Sequence, residues 1–110
     1  MANKLELTWY GKDEPIRVEP RLLIENTVLS NTAADPDTLI HGDNLLALKA
    51  LESKFAGQVK CIYIDPPYNT GSAFEHYDDN LEHSIWLNLM RPRLEILWNL
   101  LDDTVGSLWI

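Results

Sequence analysis

A short turn near the middle of the chain carries the residue types with the clearest chemical potential. It reads Asp65-Pro66-Pro67-Tyr68 and directly follows an apolar run, Val59–Ile64. The carboxylate of Asp65 and the backbone carbonyl of Pro66 are two hydrogen-bond acceptors close together in sequence. Such a pair suits an amine whose lone pair is delocalised into a ring. When the two acceptors take hydrogen bonds from the two N–H groups, they favour a pyramidal nitrogen with an exposed lone pair. The turn therefore predicts methylation chemistry at an amino group such as the 6-amino group of adenine.

The other residues of the turn fit the same interpretation. Two prolines fix φ at about −65° and would hold both acceptors in place without a loop-ordering cost during the reaction. Tyr68 offers an aromatic face to a base extruded from a duplex, and such stacking contributes about 1–3 kcal/mol per base. The competing interpretation is structural, because Asp-Pro after a strand is a common turn and aromatic residues often only pack. The position after an apolar strand favours the catalytic interpretation.

A strand–helix–strand pattern leads up to this turn. Thr38–His41 predicts a short strand ended by Gly42, and Asp43 is a good N-cap because its carboxylate can accept the free amides of a first helical turn. Four apolar residues then recur at helical spacing: Leu45, Leu48, Leu51 and Phe55. Gly57 suits the end of that helix, and the prolines must stop the strand at Val59–Ile64. The pattern is typical of a parallel α/β sheet, where ligands bind beyond the carboxyl ends of the strands.

The remainder of the chain predicts a second helix, another strand and an N-terminal arm. The helix is expected from about Glu82 to Leu101, with Pro92 kinking or splitting it. Its buried stripe is expected at five positions: Ile85, Leu89, Leu94, Leu97 and Leu101. Ser107–Ile110 predicts the opening of a buried strand, so we expect a truncated sheet. Residues 1–37 lack helical periodicity and predict an extended arm, while residues 38–110 predict the N-terminal part of a catalytic domain.

Composition limits the partners of this segment. The formal charge is −8 with nine Lys and Arg, and the densest basic spot, Arg91 and Arg93, is too small to grip a phosphate backbone. The lone Cys61 excludes an internal disulfide and is predicted to be a small buried hydrophobe. Charged and polar residues interrupt Ile85–Leu101, so we expect no membrane span and a cytoplasmic location. No metal site is expected, because no second ligand stands at metal spacing from any of the three histidines: His41, His76 and His83.

The turn and its flanks resemble a known enzyme family. Asp65-Pro66-Pro67-Tyr68 is similar to the catalytic motif of methyltransferases that act on amino groups of DNA bases. The blocks Leu39–Leu46 and Tyr63–Gly71 resemble the β-class branch of these enzymes. The segments Leu7–Leu23 and Trp86–Leu94 are similar to modification subunits of type III restriction systems. An aspartate at the first motif position is the form usual for adenine, and methylation of cytosine at N-4 is the alternative.

The resemblance implies a partial Rossmann-like S-adenosylmethionine-dependent methyltransferase fold with an incomplete parallel sheet. It implies S-adenosyl-L-methionine as the methyl donor, with Asp43 and Asp65 near it, although helix capping explains Asp43 fully and is the preferred interpretation. Three residues are assigned to catalysis: Asp65, Pro66 and Tyr68. Three more are assigned to substrate binding: Pro67, Asn69 and Tyr77. The implied partners are DNA, a second modification subunit and a restriction subunit.

One element of the family pattern is absent. A Gly-rich Phe-x-Gly-x-Gly turn should hold the methionine end of the cofactor, yet none of the five glycines has another within two residues. We therefore expect an N-terminal fragment, inactive alone, whose cofactor motif and target-recognition region lie beyond Ile110. The alternatives are a non-catalytic gene remnant, or half of a split protein that needs a second chain.

Overall fold

The structure is a computed structural model that describes residues 4–30, 37–67 and 79–110. These residues contain two helices and two strands in the order α1 (Asn44–Phe55), β1 (Cys61–Tyr63), α2 (Asp79–Leu100) and β2 (Ser107–Trp109). The strands pair in parallel, and the helices pack against each other. The predicted α/β class with a parallel sheet is confirmed for this part of the chain.

Helix α1 begins and ends where the sequence predicts. The Asp43 carboxylate accepts hydrogen bonds from the amides of Leu45 at 2.8 Å and Leu46 at 3.4 Å, so it caps amides that have no partner within the helix. Past the other end, Gly57 has a φ of 70°, in the left-handed region that glycine tolerates best. The Gly57 amide donates to the carbonyl of Asn99 at 2.9 Å and so joins the end of α1 to α2.

The two strands pair through a short parallel ladder centred on Ile62 and Leu108. Pairing begins earlier, because Val59 forms an isolated parallel bridge with Leu101 at the end of α2. The predicted strand at Val59–Ile64 is therefore present but shorter as a regular element, and β2 confirms the predicted strand opening at Ser107–Ile110. The prediction that this second strand is buried is wrong, because Leu108 is 37% exposed, Trp109 62% and Ile110 68%. Among the described residues β1 is its one hydrogen-bonded neighbour, so its other edge is not covered by a strand.

A small core joins the sheet to α2. Its buried members are Ile62, Ile96, Leu97 and Leu100. From α1, three of the four predicted apolar positions pack against it: Leu45, Leu48 and Phe55. The predicted stripe of α2 is partly wrong, because Leu89 is 37% exposed whereas Met90 is buried. The elements that pack against α2 decide which of its faces is buried, and helical periodicity alone does not specify those elements.

Two sequence predictions are wrong for a shared physical reason. Thr38–His41 forms no strand, and Leu39 is 96% exposed. Cys61 is exposed rather than buried. Strand side chains alternate between faces, and in β1 only Ile62 points into the core. Apolar strand residues become buried only where another element covers them, and among the described residues nothing covers the face that carries Cys61.

Helix α2 is continuous across its proline. The predicted split at Pro92 does not occur, because one helix runs from Asp79 to Leu100. An internal proline costs about 3 kcal/mol by removing a backbone hydrogen bond, and the buried contacts of Met90 and Ile96 on either side offset such a cost. Neither helix in the described ranges is long and apolar enough to cross a membrane.

Residues 4–30 form turns and irregular backbone without a helix or strand. The division of the chain into an arm, 1–37, and a domain, 38–110, stays a prediction.

Candidate functional site

The Asp65–Pro67 turn starts where the parallel pair ends. The amide of Ile64 donates to the carbonyl of Trp109 at 3.0 Å, continuing the pairing of β1 and β2 up to the residue before the turn. Asp65 is exposed, Pro66 is buried and Pro67 is exposed. The carboxylate therefore stands accessible to a ligand at the carboxyl end of a parallel strand, where open α/β sheets bind ligands, and the buried proline ring fixes the turn beneath it.

Three predicted site residues, Tyr68, Asn69 and Tyr77, lie outside the described residues, as does His76. Their assigned roles in base stacking and substrate binding stay predictions.

Asp43 is engaged in helix capping. Besides accepting the two amides of α1, its Oδ1 atom lies 4.0 Å from Nη2 of Arg93, and Arg93 Nε donates to the side chain of Asn44 at 2.7 Å. Within the described residues, no hydrogen bond or ion pair joins Asp43 to the Asp65–Pro67 turn. The capping interpretation is confirmed, and a contact of Asp43 with a cofactor stays a prediction.

The turn is also held from α2. The indole Nε1 of Trp86 donates a hydrogen bond to the carbonyl oxygen of Pro67 at 2.5 Å. Sequence reasoning places Trp86 in a family-like block but gives it no role. Its partner is a backbone carbonyl 19 residues earlier in the chain. A contact at that distance produces no periodic pattern in the sequence, so it could not be found from the sequence.

On the same helix, polar side chains hold the N-terminal arm. Trp9 Nε1 donates to Asn88 Oδ1 at 2.7 Å, and Asn88 Nδ2 donates to the carbonyl of Tyr10 at 2.7 Å. The amide of Tyr10 donates to the hydroxyl of Ser84 at 3.1 Å, and Ser84 is 4% exposed. Gly11, with a φ of 85°, lies so close to Asn88 that a Cβ atom there would stand 2.8 Å from its amide nitrogen. Polar residues at positions 84, 88 and 91 of an otherwise apolar helix face were a signal for this contact.

One charged side chain of α2, Arg91, reinforces the docking of the arm. Its guanidinium carbon lies 5.4 Å from the centre of the Trp9 ring, within the range of cation–π attraction, and its Nη1 donates to the carbonyl of Lys12 at 3.1 Å. Within the arm itself, Lys12 Nζ also lies 5.4 Å from the centre of the Trp9 ring. Lys12 also pairs with Glu6, and its hydrogen bond and charge hold the pKa of the Glu6 carboxyl below its ordinary value.

An open groove of about 580 Å³ runs between the arm and α2. Its apolar lining residues include Leu7, Trp9, Trp86, Met90 and Trp98. None of its lining residues belongs to the Asp65–Pro67 turn, so the groove is separate from the candidate chemistry. The described residues contain no group of three or more His, Cys, Asp or Glu side chains that could hold a metal ion.

The fold and the turn together define an α/β protein with an acidic, proline-rigid turn at the carboxyl end of a parallel strand. Residues 59–110 match the N6/N4 methyltransferase family model, described as DNA methylase. This match covers β1, the turn, α2 and β2.

Curated relatives agree with the family match. The chain is 54% identical over 65 residues to the probable type III restriction-modification enzyme HindVI Mod subunit of Haemophilus influenzae, covering 59% of this chain and 9% of that protein. It is 33% identical over 109 residues to the StyLTI Mod subunit of Salmonella typhimurium, covering 74% and 17%. It is 43% identical over 83 residues to the type II methyltransferase M.EcaI of Enterobacter cloacae, covering 68% and 18%.

Residues 59–110 are similar to the DNA methylase family, and the predicted resemblance to DNA methyltransferases and to type III modification subunits is confirmed. The chain spans between 9% and 18% of the length of these three relatives. No solved structure matches this chain.

Proposed function

We propose that this chain supplies the amine-activating part of a DNA methyltransferase that methylates the 6-amino group of adenine. The observation that carries the proposal is the exposed Asp65 carboxylate, two residues past the end of a parallel strand and just before a buried proline. The match of residues 59–110 to the DNA methylase family supports it. A Rossmann-like sheet, completed by strands in addition to β1 and β2, is part of the same proposal.

The residues of the turn act on the substrate amine. Asp65 and the Pro66 carbonyl accept hydrogen bonds from the two N–H groups of the amine. These hydrogen bonds localise the lone pair on the nitrogen for attack on a methyl carbon. When bound, S-adenosyl-L-methionine would supply that methyl group as an electrophile, and its sulfonium sulfur would leave as a neutral thioether. One amine proton leaves along the hydrogen bond to Asp65 and passes to solvent. Tyr68 stacks on the extruded base, while the other proposed substrate contacts are Pro67, Asn69 and Tyr77.

Asp65 and Asp43, the two proposed cofactor contacts, differ in how free their carboxylates are to bind a ligand. The Asp65 carboxylate is exposed and free to orient toward a ligand, whereas the Asp43 carboxylate already accepts two helix amides. Asp65 is therefore the stronger of the two proposed cofactor contacts. DNA, a second modification subunit and a restriction subunit are proposed partners, because two of the relatives are named as Mod subunits of type III restriction-modification enzymes.

A chimera tests the proposal. The aligned segment of the type II methyltransferase M.EcaI is replaced by the corresponding residues of this chain, and methylated nucleosides in the product DNA are measured by mass spectrometry. We expect methylation in the chimera and a loss of about 10²–10³-fold with Asp65→Ala, as for removal of one preorganised electrostatic contact. Asp103→Ala, which alters an exposed aspartate after α2, is the matched control.

The outcomes separate the alternatives. An Asp65→Ala chimera that turns over like its parent overturns the catalytic assignment. Methylated cytosine in place of methylated adenine favours the cytosine N-4 reaction, which the N6/N4 family also includes by name. A folded chimera without any activity favours the non-catalytic remnant.

A further inference from the structure

The hydrogen bond between Trp86 and Pro67 joins the candidate catalytic turn to the middle of α2. The indole Nε1 lies 2.5 Å from the Pro67 carbonyl oxygen, across 19 residues of sequence. Trp86 is partly buried and is one of the residues that line the apolar groove between α2 and the arm. The bond therefore reaches the turn from a separate element of the fold.

The turn needs such an external donor for a reason built into its sequence. Proline has no backbone N–H, so neither Pro66 nor Pro67 can continue the ladder that ends with the amide of Ile64. The turn presents a run of backbone carbonyls, all of them acceptors. Fixing one of these carbonyls from outside orients the peptide planes next to it.

The helix around Trp86 is well placed to be a rigid support. Two residues before it, the buried Ser84 hydroxyl accepts the amide of Tyr10, and two residues after it, Asn88 bonds to Trp9 and Tyr10. The buried Met90 follows one turn later. An indole has only two side-chain torsions, so little conformational entropy is lost when its N–H is directed at one carbonyl.

We propose that Trp86 is a positioning residue for the amine-binding acceptors, an inference that rests on the proposed methyltransferase function. By holding the carbonyl of Pro67, its indole sets the orientation of the preceding peptide, whose Pro66 carbonyl accepts the substrate amine together with Asp65. Trp86 itself does not contact the reacting atoms. Loss of its N–H therefore lowers the turnover rate while substrate binding elsewhere is kept.

The first test uses the 110-residue chain and needs no activity. Exchange of the four indole N–H protons with solvent is measured by NMR, with each signal assigned by a Trp→Phe variant. We expect the Trp86 proton to exchange about tenfold or more slowly than that of Trp98, whose residue is 77% exposed. Trp86→Phe should also shift the amide signals of Ile64 and Asp65, while Trp98→Phe should leave both in place.

The second test measures kcat and KM in the M.EcaI chimera. Trp86→Phe is expected to lower kcat by about ten- to a hundredfold with little change in KM for DNA, because a small misplacement of reacting groups has an effect of this size. Trp98→Phe is the control at the same residue type on the same helix.

Three results overturn or separate the claims. Equal exchange rates for Trp86 and Trp98 in the unmodified chain overturn the positioning role, whether or not the Trp86→Phe variant folds. An unchanged kcat in a folded Trp86→Phe chimera also overturns the positioning role, provided that Asp65→Ala still lowers transfer by about 10²–10³-fold. If Asp65→Ala has no effect, the proposed function itself fails, and the exchange data then report only a structural hydrogen bond.

Discussion

Two regions contact α2, and different forces hold them there. On one side, the sheet and α1 cover α2 with apolar side chains around the buried Ile62 and Leu100. On the other side, the N-terminal arm docks through directional polar contacts from Trp9 and Tyr10 to Asn88. Many apolar side chains of the arm stay outside any core: Leu5, Leu22, Ile24, Val28 and Leu29 are all at least 83% exposed.

This difference shows how stability is distributed in the molecule. Burial of apolar surface contributes about 25 cal/mol per Å² without requiring one geometry, whereas a hydrogen bond contributes about 0.5–1.5 kcal/mol and only at the correct geometry. The core should therefore resist opening as a unit, and the arm should detach first. The candidate turn lies between the two, because it follows β1 of the core and is tied to Trp86, which shares α2 with the arm contacts.

The strongest way to break the comparison is to remove a core side chain. Leu100 is only 3% exposed and belongs to the core cluster that joins the sheet to α2. Leu100→Ala should therefore lower the free energy of unfolding by about 2–5 kcal/mol. Urea denaturation followed by far-UV circular dichroism measures this loss. The same substitution at Leu5, which is fully exposed, should change the free energy by less than about 0.5 kcal/mol. Equal effects at the two leucines would contradict the assignment of the core.

A smaller effect is expected at the polar contact with the arm. Asn88→Ala removes two hydrogen bonds to Trp9 and Tyr10, so docking should weaken by about 1–3 kcal/mol. Trypsin cleavage after Lys12 should become faster, because cleavage follows the population of the opened arm, while the unfolding midpoint of the core moves less than in Leu100→Ala. Asn99→Ala, at an exposed asparagine of α2 whose side chain contacts Glu52 in α1, is the control. An unchanged cleavage rate would show that the arm is held by other contacts.

The smallest predicted effect sharpens the electrostatic side of the comparison. The hydrogen bond from Lys49 and, to a lesser extent, that from Asn99 hold the pKa of Glu52 below its ordinary value of 4.5, although burial acts in the opposite direction. The stabilisation is fully present above pH 4.5 and is lost as the pH falls below it through the folded value. Glu52→Gln should therefore reduce the loss of stability between about pH 6 and about pH 3, by at most about 1 kcal/mol.

Unfolding free energies at both pH values measure the effect of Glu52→Gln. Glu19→Gln in the arm, where the carboxylate lies 3.9 Å from Arg21 and both side chains are exposed, is the matched control. A Glu52→Gln protein with the parent's pH dependence would show that other carboxylates govern acid unfolding.

Local signals were enough to predict much of the fold and the identity of the turn. The Asp43 cap, the Gly57 end of α1, the strand at Val59–Ile64 and the opening of β2 each depend on residues adjacent in sequence. The position of Asp65 just past the end of β1 was predicted in the same way, because prolines must end a strand where they stand. These features follow from backbone chemistry that acts over a few residues.

Only the tertiary structure decided what each element covers. Helical spacing predicted that Leu89 is buried, and an apolar run predicted the same for Cys61, but both residues are exposed because burial depends on the elements beside them. The missing strand at Thr38–His41 likewise depends on a neighbouring element that sequence does not specify. The bond from Trp86 to Pro67 joins residues far apart in the chain and therefore has no local signature. Sequence by itself determined which chemical groups the turn carries, through its residue types, and where the turn lies, because its prolines end the strand. Packing determined how that turn is held, because a long-range contact exists only when the whole chain brings both partners together.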